Sequence, residues 1–233
     1  MKKCVWIASC AALMLGPSIS HEAATAQSAS GATGQEAARQ TQVLARLPMP
    51  EAAKVAGGHY VRAFDVTVWG IARSFDDLAT FSELVVVGKV ISGEPVLSDD
   101  RMYIKTRSSF QVVEVIKGSS LVPGSILKVA TPGGTIAFPD GTSAETTTPE
   151  AKRLEVGRSY ALFLAQNRQP PGVAPPTERV YLPLLAGQGI FELRKGGVIS
   201  GGRDIDLVKQ ENDNTSVEAF LAKLRKLKLA GGR

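Results

Sequence analysis

Residues 84–91, LVVVGKVI, constrain the fold more than any other stretch of this chain. The run is too short for a self-sustaining helix and is rich in β-branched residues. Its near-continuous apolar character predicts a buried strand rather than a half-solvated one. Gly88 inside it predicts a bulge or sharp bend, which a sheet needs where it curls towards closure. A strand buried in this way requires partners, and the sequence supplies them at short intervals.

Downstream, Ile104, Thr106, Ser108, Phe110 and Val112 alternate along one strand face. The alternation then slips, because Val113, Val115 and Ile116 are apolar around Glu114, and a bulge near Val113 accounts for the change of phase. Residues 126–130 (ILKVA), 136–138, 159–164 (SYALFL), 180–185 and 189–193 read as further strands. They are punctuated by Pro132-Gly133-Gly134, by the turn Pro139-Asp140-Gly141, and by a loop over 169–176 that holds four prolines. Residues 142–153 are polar and read as a loop. Upstream, residues 63–70 alternate Phe64, Val66 and Val68 against Asp65 and Thr67, as in a half-buried strand.

Two helices frame this β-rich region. Ser74 is placed to cap a short one carrying Asp76 and Asp77 in its first turn. At the C-terminus, Thr215 and Glu218 have the spacing of a capping box, with Thr215 as the cap. Val217, Phe220, Leu221, Leu224 and Leu227 then form an apolar stripe over 217–229. The basic residues at that end complement the helix dipole.

The N-terminus reads as an export signal. Lys2 and Lys3 precede a 13-residue stretch dominated by apolar and small residues, Pro17 breaks it, and Ala24-Thr25-Ala26 supplies small residues before a cut at Gln27. A lipid anchor on Cys10 is the lesser reading, since the apolar run continues past it. Residues 27–50 are mostly small and polar, which predicts a flexible linker. The expected organisation is therefore a signal peptide (1–26), that linker (27–50), a lead-in strand and short helix (51–81), a β-barrel (82–200), and a loop with the C-terminal helix packed on the barrel (201–233).

Processing at Gln27 removes both cysteines and His21, leaving His59 as the sole imidazole, and lowers the formal charge from +5 to +4. Thiol chemistry is excluded from such a mature chain, and one histidine cannot build a zinc site. Asp204-Ile205-Asp206 with Glu211 and Asp213 lacks the spacing of a calcium loop. Ser125 and Lys128 match Ser-x-x-Lys, yet a strand sends them to opposite faces. No serine sits in a Gly-x-Ser-x-Gly elbow, and the glycine pairs lack the following helix of a dinucleotide loop. Glu94, Glu145, Glu150 and Glu155 do not pair by sequence. The expectation is no catalytic residue, no metal and no cofactor. Tyr103, Lys105 and Arg107, placed on one strand face with Gln111 further along, form the candidate binding face.

The order of motifs carries a resemblance. SELVVVGKV (82–90), FQVVEVIKG (110–118), Pro132-Gly133-Gly134, LEVGRSY (154–160) leading into Leu162-Phe163-Leu164, and Gln188-Gly189-Ile190-Phe191 follow one another over residues 74–195. This series resembles a group of bacterial exported proteins with an OB-like barrel. It is more distantly similar to netrin modules and tissue inhibitors of metalloproteinases. The resemblance implies a five-stranded, partly open barrel. It transfers no functional residue, because those inhibitors act through an N-terminal cysteine that the mature chain would lack.

The function expected on these grounds is a secreted or periplasmic, non-enzymatic binding module. Its partner is a protein or cell-envelope component, not nucleic acid, and no transmembrane segment remains after signal removal. A carboxylate- or serine-dependent hydrolase, and a protease inhibitor working without a cysteine–zinc contact, are the alternatives.

Overall fold

The computed structural model describes residues 34–64, 72–118, 121–148, 152–167, 178–201 and 207–230. The expected signal peptide, residues 65–70 of the expected lead-in strand, and the Asp204-Asp206 segment lie outside them. The described chain is mainly β.

The strands of the principal sheet are β2 (Leu84–Leu97), β3 (Ile104–Lys117), β4 (Ile126–Pro132), β7 (Ser159–Gln166), β8 (Val180–Pro183), β9 (Ile190–Arg194) and β10 (Gly197–Ser200). Antiparallel pairing joins β2 to β3, β3 to β4 and β2 to β7. Strand β8 runs parallel to β4 and antiparallel to β7, so five strands bond in a ring, β2-β3-β4-β8-β7 and back to β2. Strands β9 and β10 extend the sheet from β7.

The ring closes because β2 and β3 bend. Gly88 pairs with Val112 while Val87 pairs with Glu114, so Val113 is the extra residue of a bulge, as the slip in the sequence predicts. A Cβ on Gly88 would lie 2.1 Å from the Gln111 carbonyl oxygen and 2.7 Å from the Phe110 ring, so only glycine lets the strands approach this closely. Shifts at Val85/Val86 and Val90/Ser92 add further curvature.

Each face of this sheet buries its own core. Inside the ring lie Val86, Val90, Phe110, Val112, Leu127, Val129, Tyr160, Leu162 and Ile190. On the outer face of β2, β7 and β9, Val85, Val87, Phe163 and Phe191 meet a layer of helices. These are α3 (Phe75–Phe81), α4 (Leu207–Asn212) and α5 (Val217–Ala230). Phe75 contacts Phe163, Phe191 and Phe220 with ring centroids 5.4–5.5 Å apart, which knits the helices to the sheet. Two-sided burial explains why residues 84–87 show no alternation, whereas beyond Gly88 the strand alternates, with Lys89 and Ile91 exposed.

Ser74 caps α3 as expected, its hydroxyl accepting from the Asp77 N–H. The predicted capping box does not form. Helix α5 begins one residue later than the box requires, and the Ser216 hydroxyl accepts from the Ala219 N–H. Thr215 instead gives its carbonyl to Val198, covering the edge of β10. The apolar stripe of α5 holds, with Phe220 and Leu224 fully buried.

The expected flexible linker is corrected from Gly34 onwards. Helices α1 (Gly34–Arg46) and α2 (Met49–Val55) occupy it, and Leu44 and Met49 are core residues. They pack on a small second sheet of β1 (His59–Ala63), β6 (Ser143–Thr147) and β5 (Gly134–Ala137), in the order β1-β6-β5. Strand β1 shares only Ala63 with the lead-in strand expected over 63–70, and the expected loop 142–153 contains β6, whose Ala144 is buried in this satellite core. Arg62 ties the unit together. Its guanidinium donates to the carbonyls of Leu44 at 2.9 Å, Leu47 at 2.8 Å and Met102.

Candidate functional site

The bulges set which side chains leave the ring. In β3, Lys105, Arg107, Ser109 and Gln111 point outwards, opposite Val96, Glu94, Ser92 and Lys89 of β2. On the other side they meet Pro132, Ala130, Lys128 and Ile126 of β4. The predicted face is thus the outer surface of three adjacent strands, and the sequence omitted its β2 and β4 members. Lys128 has no visible link to Lys105 in sequence, because register places it there.

Tyr103 precedes β3 rather than belonging to it. Its ring stacks on Phe64 at 4.8 Å, so it marks the end of the face and anchors the β2–β3 loop to the satellite sheet. Burial raises the Tyr103 hydroxyl pKa, and the nearby Asp100 and Asp99 charges add to this, so it stays protonated at neutral pH. Lys105 is largely buried along its stem, with 21% side-chain exposure, and reaches exposed Asp99 at 3.8 Å. Lys128 donates to Ser109 at 3.0 Å and lies 4.0 Å from Glu178. Arg107 differs from both: its Nε is buried without a hydrogen-bond partner. Beside it, Ser109 and Ala130 form a buried floor of small residues.

A second polar cluster lies where residues 152–158 cross β7, β9 and β10. The Glu192 side chain is fully buried and receives Arg194 at 2.6 and 2.8 Å, Arg158 at 3.0 Å and Lys152 at 2.8 Å. Burial alone would raise this carboxyl, but hydrogen bonds from Arg194 and Lys152 and their charges overrule it and hold it at about 2. Every oxygen is engaged, so the cluster has the character of a structural tie.

A cleft of about 640 Å³ opens beside the bulge. Val87, Val113, Leu193 and Val217 make its apolar part, with Lys195 and Glu218 among its polar residues. Val113, 64% exposed, also lines a smaller recess with Leu121 and Pro123. Of the glutamates considered for acid–base work, Glu155 binds Arg158 at 3.1 Å and Glu145 lies 3.5 Å from Arg153, and neither lines this cleft.

His59, the expected lone imidazole, stands beside Ser143 on parallel strands β1 and β6, with Nδ1 and Oγ 2.8 Å apart. Sequence gave no warning of this pair, since the two residues are 84 positions apart. Among the described residues no carboxylate hydrogen-bonds His59. Of the suggested acidic cluster, Glu211 pairs with Lys223, and Asp213 accepts from the Ser200 N–H. No group of three potential metal ligands converges among the described residues. No described helix is long and apolar enough to cross a membrane.

Compared with known protein families and with curated proteins, the chain matches none, so the roles of its residues rest on this geometry.

Proposed function

We propose that the protein is an exported, non-enzymatic binding module whose ring of strands is an OB-like barrel, with the outer face of β2, β3 and β4 as its contact surface. The observation that carries this reading is Arg107, a cation set between Lys105 and Lys128 on a floor of small side chains, whose buried Nε has no hydrogen-bond partner among the described residues. A buried donor left unpaired costs about 1–3 kcal/mol, more when charged, and a ligand acceptor would recover that cost. The OB-like assignment is supported by the ring order, in which the third and fifth strands run parallel. In OB-folds the second and third strands with the adjoining loops bind extended ligands, and here those strands are β3 and β4. Export is supported by the basic, apolar and small-residue order of the first 26 residues.

Mature protein beginning at Gln27, immobilised and exposed to cell-envelope extract, is expected to retain a partner saturably. Retention that never saturates, or no retention under mild conditions, would refute the reading.

A second reading, a serine-dependent hydrolase, is favoured by the His59–Ser143 contact. It requires Ser143 to react with a fluorophosphonate probe, with loss of labelling on His59→Ala. An unlabelled wild-type protein removes it.

A further inference from the structure

The contact surface proposed above has a geometry that selects among partners. Its outward positions are Lys89, Ser92, Glu94 and Val96 on β2, Lys105, Arg107, Ser109 and Gln111 on β3, and Ile126, Lys128, Ala130 and Pro132 on β4. None of these is aromatic, so the strands offer no platform for stacking bases. What they offer is positive charge at regular spacing. Lys105 and Arg107 are two residues apart on one strand, which sets their Cα atoms about 7 Å apart. Lys128 stands one strand over, about 5 Å away in the hydrogen-bonding direction and one step further along.

An extended peptide repeats the same way: alternate side chains share a side and recur about every 7 Å. Carboxylates at alternate positions of such a peptide would meet Lys105 and Arg107 in phase. The guanidinium fork is suited to gripping one carboxylate through paired N–H donors. The anions already near the face are placed to tolerate this. Asp99 and Glu178 reach Lys105 and Lys128 only at 3.8 and 4.0 Å, as long contacts to solvent-facing carboxylates, and Glu94 lies opposite Arg107 without an ion pair.

We infer that this face binds an extended acidic peptide segment of a partner protein, with carboxylates at alternate positions and Arg107 as the principal anchor. The inference rests on the reading of the face as a binding surface.

The test uses the mature chain and three fluorescent probes: an octapeptide alternating Glu and Thr, an octapeptide of the same composition built as a Glu-Glu-Thr-Thr repeat, which has no two Glu at alternate positions, and an octathymidylate. The alternating peptide is expected to bind at least fivefold tighter than its permuted form and tighter than the nucleotide, and to weaken as salt is added. Arg107→Ala should weaken it at least tenfold, Arg107→Lys nearly as much, and Lys105→Ala several-fold. Thermal melts establish that each variant is folded. Lys105→Glu, a change at a stem-buried but solvent-tipped position, provides an independent loss of binding should Arg107→Ala not fold. Equal binding of the two peptides, preference for the nucleotide, or unchanged binding by folded Arg107 and Lys105 variants would overturn the inference. Envelope capture repeated with Arg107→Ala separates the two proposals. Capture that persists without Arg107 overturns the acidic-peptide inference while leaving the binding module standing. Absence of capture by the wild type overturns the module itself.

Discussion

Replacing Glu192 by Gln tests whether the polar tie between β7, β9, β10 and residues 152–158 stabilises the fold. In the native protein the carboxylate is fully buried and meets Arg194, Arg158 and Lys152 at 2.6–3.0 Å. Its pKa falls from an ordinary 4.5 to about 2. A tenfold change in proton affinity corresponds to about 1.4 kcal/mol, so the ionised form contributes up to about 3 kcal/mol. The three cations keep contact with solvent and recover hydration when the anion is lost, which brings the expected loss to about 2–3 kcal/mol. The sign follows from the lowered folded-state value. The contribution is complete above the unfolded pKa near 4.5 and disappears as pH falls towards 2. Urea unfolding of wild type and Glu192→Gln should therefore differ by about 2–3 kcal/mol at pH 7, and by less than half of that at pH 3. A difference under about 0.5 kcal/mol at neutral pH, or one unchanged between pH 6 and pH 3, would refute the reasoning.

Three further perturbations probe the scaffold. Gly88→Ala places a methyl group where the Gln111 carbonyl oxygen is 2.1 Å away, so the strands must separate, and a loss of about 3 kcal/mol or more is expected in chemical denaturation. Ser216→Ala should cost about 1 kcal/mol through loss of the helix cap, whereas Thr215→Ala, whose role is carried by its backbone carbonyl, should be nearly neutral; the reverse ranking would restore the sequence-based capping box. Arg62→Ala removes three charged donors from carbonyls that join α1, the α1–α2 turn and the β2–β3 loop. Hydrogen exchange over α1 and α2 should accelerate at least tenfold while the β2–β7 amides keep their protection, and a uniform change would argue against a separate satellite core.

The strands were legible wherever burial or alternation left a period of two or a continuous apolar run. Gly88 and the phase slip at Val113 even announced the paired irregularity that curves the ring of strands. Legibility failed where long-range packing overrides composition. Residues 34–46 look like a polar spacer because only one narrow stripe is apolar, and Leu44 becomes structural only when the satellite sheet supplies a surface to bury it. Strand β6 is polar for a related reason: Thr146 is buried and bonds the Ile104 N–H through its hydroxyl, so hydrogen bonding replaces apolar character there. The α5 cap was displaced because edge protection of β10 claims the Thr215 carbonyl, leaving the adjacent serine to start the helix.

The same distinction explains how much of the candidate site could be read. Lys105 and Arg107 are two apart on one strand, so period-two reasoning puts them together without any tertiary information. Lys128 and the Ser109–Ala130 floor depend on the β3–β4 register, and Ser143 reaches His59 only through a parallel pairing across 84 positions. Charge identity alone also failed to rank the cations. Three basic residues converge on Glu192 and are consumed there, while Lys105 and Lys128 have weak exposed partners. Arg107 is distinguished by an orphaned Nε, a property that no residue count contains. A native fold satisfies most buried donors, so among the cations of the proposed face that orphan singles out Arg107, and it makes Arg107 the residue on which the acidic-peptide inference stands or falls.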